Sequence, residues 1–257
     1  MARAAWRVAG ASVTGAYHAI SGEPCQDRHR LQVTPGDALI AVVSDGAGSA
    51  RHAGEGATIL CESVSAALAG FAGRGKLKPS RALLRRAYRA VCDGVEAARR
   101  RILDAMPPEA SLYDYHATLV GAFVLPGSGG LFFHIGDGAA LAVSGERWLL
   151  SPPSNGEYSN ETYFFTQANW RRHLRFKLIE PGFDTIFVMS DGVTDLSFRH
   201  NGHGPEPFMP FFEPIGRFLS TTKRDEAERA LGATLDTPAA RERSDDDKTL
   251  VWAQFAA

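Results

Sequence analysis

The stretch Ala38-Leu39-Ile40-Ala41-Val42-Val43-Ser44-Asp45-Gly46 decides the fold class of this chain. Its six apolar residues in succession, rich in β-branched side chains, are typical of a strand that is buried on both faces. A second apolar run, Thr185–Met189, ends at the same three residues, Ser-Asp-Gly. The two stretches therefore predict two buried strands, each of which places an aspartate at the rim of a hydrophobic core.

Further strands are predicted on the chain between and after these two. The Pro-Gly-Ser-Gly at 126–129 is typical of a hairpin turn, and the Ser-Gly-Glu at 144–146 indicates a second turn that continues the same meander. The additional strands are expected at 117–125, 130–135, 139–143, 147–150 and 249–255.

Two helices are predicted between the first strand and the hairpin. Apolar residues recur at steps of three and four through 60–71 and again through 84–102, where Ser80 is a candidate N-cap. Strands, two long helices and then more strands favour an α+β fold of antiparallel sheets with helices packed outside. We expect a single domain over 1–257, with less regular loop insertions at 151–175 and 201–214.

Composition excludes several classes of protein. The 257 residues carry 28 Lys and Arg against 29 Asp and Glu, and this balance argues against a nucleic-acid-binding protein. No apolar run approaches the roughly 18 to 20 residues that a membrane helix requires, and residues 1–12 lack the apolar core of a secretory signal. Three cysteines are too few for a disulfide framework. We therefore expect a globular cytoplasmic protein.

Acidic residues at the ends of strands are the most informative feature for function. Asp45 and Asp191 each follow a buried strand and precede a glycine, and Asp137 is placed similarly in Ile-Gly-Asp-Gly. Asp27 and the aspartates at 245–247 complete the set. Any one of them could be a simple turn former, because Asp-Gly favours turns. If they converge, however, they repel one another unless hard cations such as Mg²⁺ or Mn²⁺ neutralise them.

The order of these motifs resembles the metal-dependent Ser/Thr phosphatases of the protein phosphatase 2C (PPM) type. The resemblance extends from about residue 15 to residue 253, and its finer pattern is similar to a bacterial, PphC-like branch of that family. The motifs that carry it are Gln26-Asp27, Ser44-Asp45-Gly46, Thr118-Leu119-Val120, Gly136-Asp137, Ser190-Asp191-Gly192, the GEYSNET stretch at 156–162 and the DDDKTL stretch at 245–250.

This resemblance implies a fold and a chemistry. The fold would be an α-β-β-α sandwich, in which two antiparallel sheets pack face to face between two layers of helices. The activity would be hydrolysis of phosphoserine and phosphothreonine by a hydroxide that bridges two Mg²⁺ or Mn²⁺ ions. Asp137 matches the family position associated with a third, weakly bound ion.

The resemblance also assigns ligands to the ion pair. Asp45 would bridge both ions, and the Gly46 carbonyl would bind one of them. Asp191 and Asp246 would hold the other ion, and both are implied to be essential for catalysis together with Asp45. Asp27 would support the cluster directly or through water.

The chain departs from the family pattern where the substrate is held. Many relatives carry a phosphate-binding arginine at the position of Gly22, and many eukaryotic relatives carry a general-acid histidine at the position of Ala47. His18 and Arg51 are the candidates to bind substrate in their place. Glu157 is a third candidate, at the border of the substrate groove.

Two alternatives to a protein phosphatase stay open. The missing arginine and histidine suggest a non-catalytic module that binds a kinase or a phosphoprotein, and a phosphatase of small metabolites would carry the same aspartates. For the enzyme we expect phosphoprotein substrates, a Ser/Thr kinase among them, and a monomeric state. Cys25, next to the acidic cluster, is interpreted as an inert buried thiol in preference to a redox switch.

Overall fold

The computed structural model describes residues 5–73, 77, 80–154, 162–202 and 204–256. The described strands form two antiparallel sheets of five strands each and a separate two-stranded hairpin. In spatial order, the first sheet contains β1 (Ala5–Val13), β12 (Lys248–Ala256), β9 (Thr185–Met189), β6 (Ala139–Ser144) and β7 (Arg147–Ser151). The second sheet contains β2 (Arg28–Val33), β3 (Leu39–Ser44), β4 (Leu119–Leu125), β5 (Gly129–Ile135) and β8 (Arg175–Ile179). The hairpin is β10 (Phe198–Asn201) with β11 (Gly204–Pro207).

The two predicted helices are present, and both extend beyond the predicted limits. The cap at Ser80 is confirmed, because its side chain accepts a hydrogen bond from the main-chain N–H of Leu83. No helix within the described ranges is long and apolar enough to span a bilayer. The helices are α1 (Ala16–Ser21), α2 (Ala53–Ala72), α3 (Arg81–Ala105), a 3₁₀ helix (Leu112–Tyr115), α4 (Trp170–His173), α5 (Asp191–Ser197), α6 (Met209–Thr221), α7 (Arg224–Leu235) and α8 (Pro238–Arg243).

Strand β3 shows how the layers are built, because its alternate side chains enter two different cores. Ala41 and Val43 belong to the core between the two sheets, with residues such as Val188 of the first sheet. Ile40 and Val42 point the other way and pack in the core that the second sheet forms with α2 and α3. The strand is buried along its whole length, as its unbroken apolar run predicts.

The first sheet has the same construction. Val188 and Val251 face the second sheet, whereas Phe187 and Trp252 lie on the outer face. The outer face packs against α6 and α7 through side chains such as Phe212. The fold is therefore the predicted α-β-β-α sandwich, with helices covering both outer faces.

One predicted connection is wrong. The sequence predicts that the strands at 139–150 continue the meander of β4 and β5, but β5 pairs next with β8, and β6 pairs with β9 of the other sheet. The chain crosses between the sheets at 136–138, where Gly136 has a φ of 102° and a Cβ atom would lie 2.8 Å from Thr118 Cγ2. Apolar periodicity reports that a strand is buried, but it does not report in which sheet.

The predicted irregular stretch at 201–214 is also wrong in large part. Residues 204–207 form β11, which pairs with β10, and α6 begins at Met209. Pro207 and Pro210 prevented the prediction of β11 and α6, because a proline within an apolar pattern argues against both strands and helices. Pro210 occupies the first turn of α6, where its missing N–H costs no hydrogen bond. The stretch at 151–175 is less regular in its described part, where the short helix α4 lies between the end of β7 at Ser151 and the start of β8 at Arg175.

Candidate metal centre

Three carboxylates meet at one end of the sandwich. Asp45 follows β3 of the second sheet, Asp191 begins α5 directly after β9 of the first sheet, and Asp137 lies on the crossover between the sheets. One carboxylate oxygen of each lies within 4.8 Å of those of the other two. The structure thus brings together three of the aspartates that the sequence predicts to be metal ligands, from both layers of the sandwich.

The main chain around Asp45 is held in place by the start of β4. The Asp45 N–H donates to Thr118 Oγ1 at 3.1 Å, and the Thr118 N–H donates to the Asp45 carbonyl at 2.8 Å. Ser44 Oγ donates to the Thr118 carbonyl at 2.6 Å. A side chain at Gly46 would collide with Ala53 at 2.8 Å, so this position requires glycine. These contacts give a physical reason for the motifs at 44–46 and 118–120.

Asp27 lies beneath the three carboxylates and is 1 % exposed. Ser190, the residue before Asp191, donates from Oγ to Asp27 Oδ2 at 2.7 Å. The same hydroxyl accepts from the Thr249 N–H at 2.9 Å, so it joins β9, β12 and the 26–27 motif. The serine of the second Ser-Asp-Gly motif is therefore a structural link between the buried aspartate and the first sheet.

Two adjacent aspartates before β12 have different surroundings. Asp247 accepts from the N–H groups of Gly15 at 2.7 Å and of Gln26 at 2.5 Å, and its Oδ2 lies 3.0 Å from His18 Nδ1. Although burial opposes the effect, these partners hold the pKa of Asp247 below its ordinary value. Asp246 instead lines the open cavity above the carboxylates. This difference supports the prediction of Asp246, and not Asp247, as a ligand.

A buried lysine holds the Asp246 segment. Lys248 is 1 % exposed, and its Nζ donates to the Asp246 carbonyl at 2.8 Å. Its aliphatic part lies beneath Gly192, since a Cβ atom there would be 3.3 Å from Lys248 Cγ. The chain thus supplies one positive charge of its own between the segments that carry Asp191 and Asp246.

Electrostatics at the cluster are unfavourable without a cation. Burial, together with the charges of Asp191 and the other carboxylates, raises the pKa of Asp45 well above its ordinary value. Burial and the neighbouring charges raise the pKa of Asp191 in the same way, and burial raises the pKa of Asp27 to about 6. Within the part of the chain that the structure describes, the Oδ1 atoms of Asp27, Asp137 and Asp191 are buried and have no hydrogen-bond partner. Unpaired carboxylate oxygens that face one another are the donor set that hard divalent cations prefer.

The carboxylates open into a cavity of about 670 Å³. Its lining comes from α1, the loop after β3, the 3₁₀ helix, and the segments at 162–167 and 245–246. The residues that line it include Tyr17, His18, Gly46, Ala47, Gly48, Ser49, Tyr113, His116, Thr162, Phe164 and Gln167. The cavity gives a substrate direct access to the acidic cluster.

The three predicted substrate-binding residues differ in their position relative to the cavity. His18 lines the cavity, but its side chain is held by Asp247. Arg51 is exposed and lies outside the described lining of the cavity, and Glu157 is not among the described residues.

The Cys25 thiol is half-buried, and burial, together with the charges of Asp27 and Asp247, raises its pKa. A thiol that stays protonated favours the interpretation of Cys25 as inert.

Comparison with known proteins identifies the family. A model described as protein phosphatase 2C matches residues 14–236. The chain belongs to the protein phosphatase 2C family. This match confirms the prediction of a metal-dependent serine/threonine protein phosphatase, and it includes the segments that carry Asp27, Asp45, Asp137 and Asp191.

Individual relatives of this protein phosphatase 2C domain are bacterial. Serine/threonine-protein phosphatase 3 of Escherichia coli (strain K12) is 29 % identical over 260 residues, which cover 98 % of this chain and 99 % of the relative. Phosphatase Stp1 of Staphylococcus aureus shares the fold with a TM-score of 0.64 at 12 % identity, over 97 % of this chain and 95 % of Stp1. The catalytic domain of phosphatase PstP, solved with two manganese ions, has a TM-score of 0.63 at 15 % identity, over 99 % of this chain and 100 % of PstP.

Proposed function

We propose that this protein phosphatase 2C domain removes phosphate from phosphoserine and phosphothreonine residues of proteins, using two Mg²⁺ or Mn²⁺ ions held by its carboxylates. The observation that carries the proposal is the convergence of Asp45, Asp137 and Asp191 on one point, where the buried Oδ1 atoms of Asp137 and Asp191 have no hydrogen-bond partner among the described residues. The relative PstP, which was solved with two manganese ions, supports the choice of metal.

The residues present fit such ions. Asp45 would contact both of them, the Gly46 carbonyl would bind one, and Asp191 and Asp246 would hold the other. Asp137 would contribute a third and weaker site. Bound divalent ions supply an activated water at neutral pH and neutralise the charge of a phosphate.

The protein itself contributes position and access. Thr118 and Ser44 fix the main chain that carries Asp45, and Lys248 fixes the segment that carries Asp246. The cavity, open on one side and lined by aromatic and polar side chains, admits the phosphorylated side chain of a polypeptide. His18, Arg51 and Glu157 remain the predicted substrate-binding residues.

The proposal extends to the substrates, the location and the assembly state of the protein. We infer phosphoprotein substrates that include a Ser/Thr kinase, a cytoplasmic location and a monomeric, single-domain chain. A near-neutral formal charge of -1 gives the protein no general attraction for polybasic or polyacidic substrates. Substrate choice therefore rests on the cavity and its rim.

The carboxylate oxygens that have no partner among the described residues favour an enzyme over a module that only binds phosphoproteins. Crowded buried aspartates destabilise a metal-free fold, and a binding module gains nothing from them. A phosphatase of small metabolites has the same metal centre, so only the substrate separates it from a protein phosphatase. Kinetics on phosphopeptides and phosphorylated metabolites, measured side by side, decide between these two.

The test of the proposal is hydrolysis of phosphothreonine peptides in the presence of Mn²⁺ and in the presence of a chelator. We expect phosphate release only with the metal, and its loss in Asp45→Asn. Asp104→Asn, which changes an exposed aspartate of α3, is the matched control. Release that is unaffected by the chelator, or by Asp45→Asn, would contradict the proposed mechanism.

A further inference from the structure

The mouth of the cavity carries exposed aromatic side chains. Tyr17 of α1 and Tyr113 of the 3₁₀ helix both line the cavity, and yet they are 65 % and 61 % exposed. Single exposed apolar side chains are common on protein surfaces, whereas a contiguous group of them marks an interaction site. The neighbours of the two tyrosines therefore decide whether they form such a site.

Helix α1 presents an apolar face to solvent. Ile20 follows Tyr17 by three residues, so the two side chains share one face of the helix, and Ile20 is 89 % exposed. The Tyr17 N–H donates to the Asp245 carbonyl at 3.0 Å, which joins the helix to the segment before β12 of the first sheet. His18 is 4 % exposed and anchors the opposite side of the helix through Asp247. The exposed face is thus held beside the segment that carries the metal-binding aspartate.

Tyr113 is the outermost of three rings in the other wall of the cavity. Its ring lies 4.5 Å from the ring of His116, which stacks on Phe164 at 4.6 Å between the centroids. All three rings line the cavity, and His116 is only 8 % exposed. The His116 carbonyl accepts from the Ala47 N–H at 2.9 Å, so this wall is joined to the loop after β3 of the second sheet.

Tyr17, Ile20 and Tyr113 are named here the apolar rim. The part with Tyr17 and Ile20 is joined to the first sheet, and the part with Tyr113 is joined to the second. The same cavity contains Asp45 and Asp191, which come from the second and the first sheet. A phosphorylated side chain that reaches these carboxylates therefore brings its neighbouring residues to the apolar rim.

The charge of the lining narrows the kind of residue that can be recognised there. No lysine or arginine is present among the described residues that line the cavity. An acidic residue next to the phosphate would find no cation on that lining, and it would face the exposed carboxylate of Asp245. The remaining candidates are a basic residue, which Asp245 would attract, and an apolar residue, which would cover the rim.

The geometry of an extended chain indicates which substrate positions meet the rim. Side chains of an extended polypeptide alternate between its two faces. When the phosphorylated side chain points into the cavity, the residues two positions before and after it also point to the enzyme, about 7 Å away along the chain. The residues directly before and after it point to solvent.

We propose that the apolar rim binds the substrate polypeptide beside the phosphorylated residue and selects aromatic or branched aliphatic side chains two positions before and after it. This inference rests on the proposed function, and it deepens it by naming a class of substrate. A small phosphorylated metabolite has no residues that reach the rim. Contact with the rim therefore favours a polypeptide over a metabolite at the same metal centre.

The expected effect is a difference in kcat/KM between peptides. Apolar contacts in a closed pocket discriminate about 10- to 200-fold for a single methylene, and a rim leaves part of each side chain in water, so we expect about tenfold. Contacts with the rim are the same before and during the reaction, because they do not involve the phosphate. The difference should therefore lie mainly in KM.

The experiment uses three phosphothreonine peptides with Mn²⁺. The first has leucine two positions before and after the phosphothreonine, the second has the same residues with the leucines moved next to it, and the third has lysine in place of the two leucines of the first. The wild type should hydrolyse the first with a kcat/KM about tenfold above that of the second and of the third.

The variants remove apolar area from the rim. Tyr17→Ala, Tyr113→Ala and Ile20→Ser should each lower the ratio of kcat/KM between the first and the second peptide, whereas Tyr113→Phe should keep it, because the ring and not the hydroxyl makes the contact. Tyr88→Ala and Leu178→Ser are the matched controls, since these residues are 46 % and 62 % exposed but lie outside the described lining.

Each outcome bears on one of the two proposals. If the wild type hydrolyses none of the peptides, the proposed function fails, and fluorescence anisotropy with phosphonate analogues of the same three peptides then decides about the rim by their order of affinity. Equal values for the first and second peptides, a preference for lysine, or an unchanged ratio in the rim variants would overturn the inference.

A second copy of this chain is the other occupant that the test can reveal. Analytical ultracentrifugation should show a monomer for the wild type and for Ile20→Ser alike. A dimer that Ile20→Ser dissociates would assign the rim to contact between copies and would overturn the inference. Because Ile20 is 89 % exposed, this variant should fold, and it decides by the peptide ratio if the tyrosine variants do not fold.

Discussion

The buried carboxylate of Asp27 makes the stability of the metal-free protein depend on pH. Its pKa, raised by burial, is about 6 against an ordinary value of 3.8. At 1.36 kcal/mol per pH unit, this difference corresponds to about 3 kcal/mol. Because the folded state binds this proton more tightly than the unfolded chain, the stabilisation is complete below pH 3.8 and is lost as the pH rises through about 6.

The perturbation that isolates this effect is Asp27→Asn. An amide keeps the size of the side chain and still accepts from Ser190 Oγ, but it has no charge to bury. In chelator, the free energy of unfolding of the wild type should fall by about 3 kcal/mol between pH 4 and pH 7 through this group. The variant should lack that fall, and should therefore be the more stable protein at pH 7 and nearly equal to the wild type at pH 4.

The assay is urea unfolding, followed by tryptophan fluorescence, at several pH values in chelator and again in Mn²⁺. Saturating metal should reverse the ranking at pH 7, since the wild type gains binding energy that the variant loses. Asp104→Asn, at an exposed position, should follow the wild type at every pH. Because Asp45 and Asp191 keep their raised pKa values, the variant also loses stability with rising pH, but by less. A metal-free wild type whose stability does not fall between pH 4 and pH 7, or an Asp27→Asn variant that loses as much stability as the wild type, would refute the reasoning.

Three further predictions concern the same end of the sandwich. Asp137→Asn should lower turnover but keep tight binding of two Mn²⁺ ions, whereas Asp45→Asn should lose both ions; equal loss in calorimetry would contradict this division. Ser190→Ala leaves a buried main-chain N–H unpaired and should cost about 1–3 kcal/mol in urea unfolding, and a cost near zero would show that another group replaces the hydroxyl. Gly56→Ala would place a Cβ atom 2.4 Å from the Tyr115 carbonyl, so we expect a destabilisation of about 1–3 kcal/mol, and wild-type stability would contradict the close packing of α2 on the 3₁₀ helix.

The central strands and the long helices could be predicted from the sequence because their apolar residues form unbroken runs in the strands and recur at steps of three and four in the helices. Strand β9 begins and ends at the predicted residues, and β3 is displaced by one. Strands β1, β2 and β8 are at or near the edges of the sheets, and their mixed polar residues give neither an apolar run nor a clean alternation. These three strands could not be predicted from the sequence. Each pairs with a neighbouring strand on one side only, and none is buried on both faces, so their residues form no recognisable apolar pattern.

The acidic cluster could be predicted for a related reason. An aspartate directly after a buried strand has a position that the strand fixes, so Asp45 and Asp191 converge once both strands are in one sandwich. The role of Asp247 could not be predicted, because its difference from Asp246 arises from N–H groups of Gly15 and Gln26, more than 200 residues away. No local sequence pattern indicates a contact between residues that are so far apart in the chain.

The position of His116 in the cavity wall could not be predicted, because it depends on contacts between residues that are far apart in the sequence. His116 follows a short 3₁₀ helix in a connection that carries no apolar period, and its neighbours Phe164 and Thr166 lie about fifty residues further along the chain. The sequence instead indicated Arg51 as a substrate-binding candidate, and Arg51 is exposed in the structure. Only the three-dimensional structure therefore shows which residues lie next to one another in the cavity wall.

The position of β12 has a consequence for truncated chains. This late strand lies between β1 and β9, and without it the earliest strand has no partner in its sheet. The residues that precede β12 also carry Asp246 and Asp247, so the acidic centre and the sheet are completed by the same segment. Without this segment, the cluster of Asp45, Asp137 and Asp191 lacks Asp246, and the N–H groups of Gly15 and Gln26 lack their partner Asp247. We therefore expect a chain truncated before residue 245 to lack both the Asp246 carboxylate and the strand that pairs with β1.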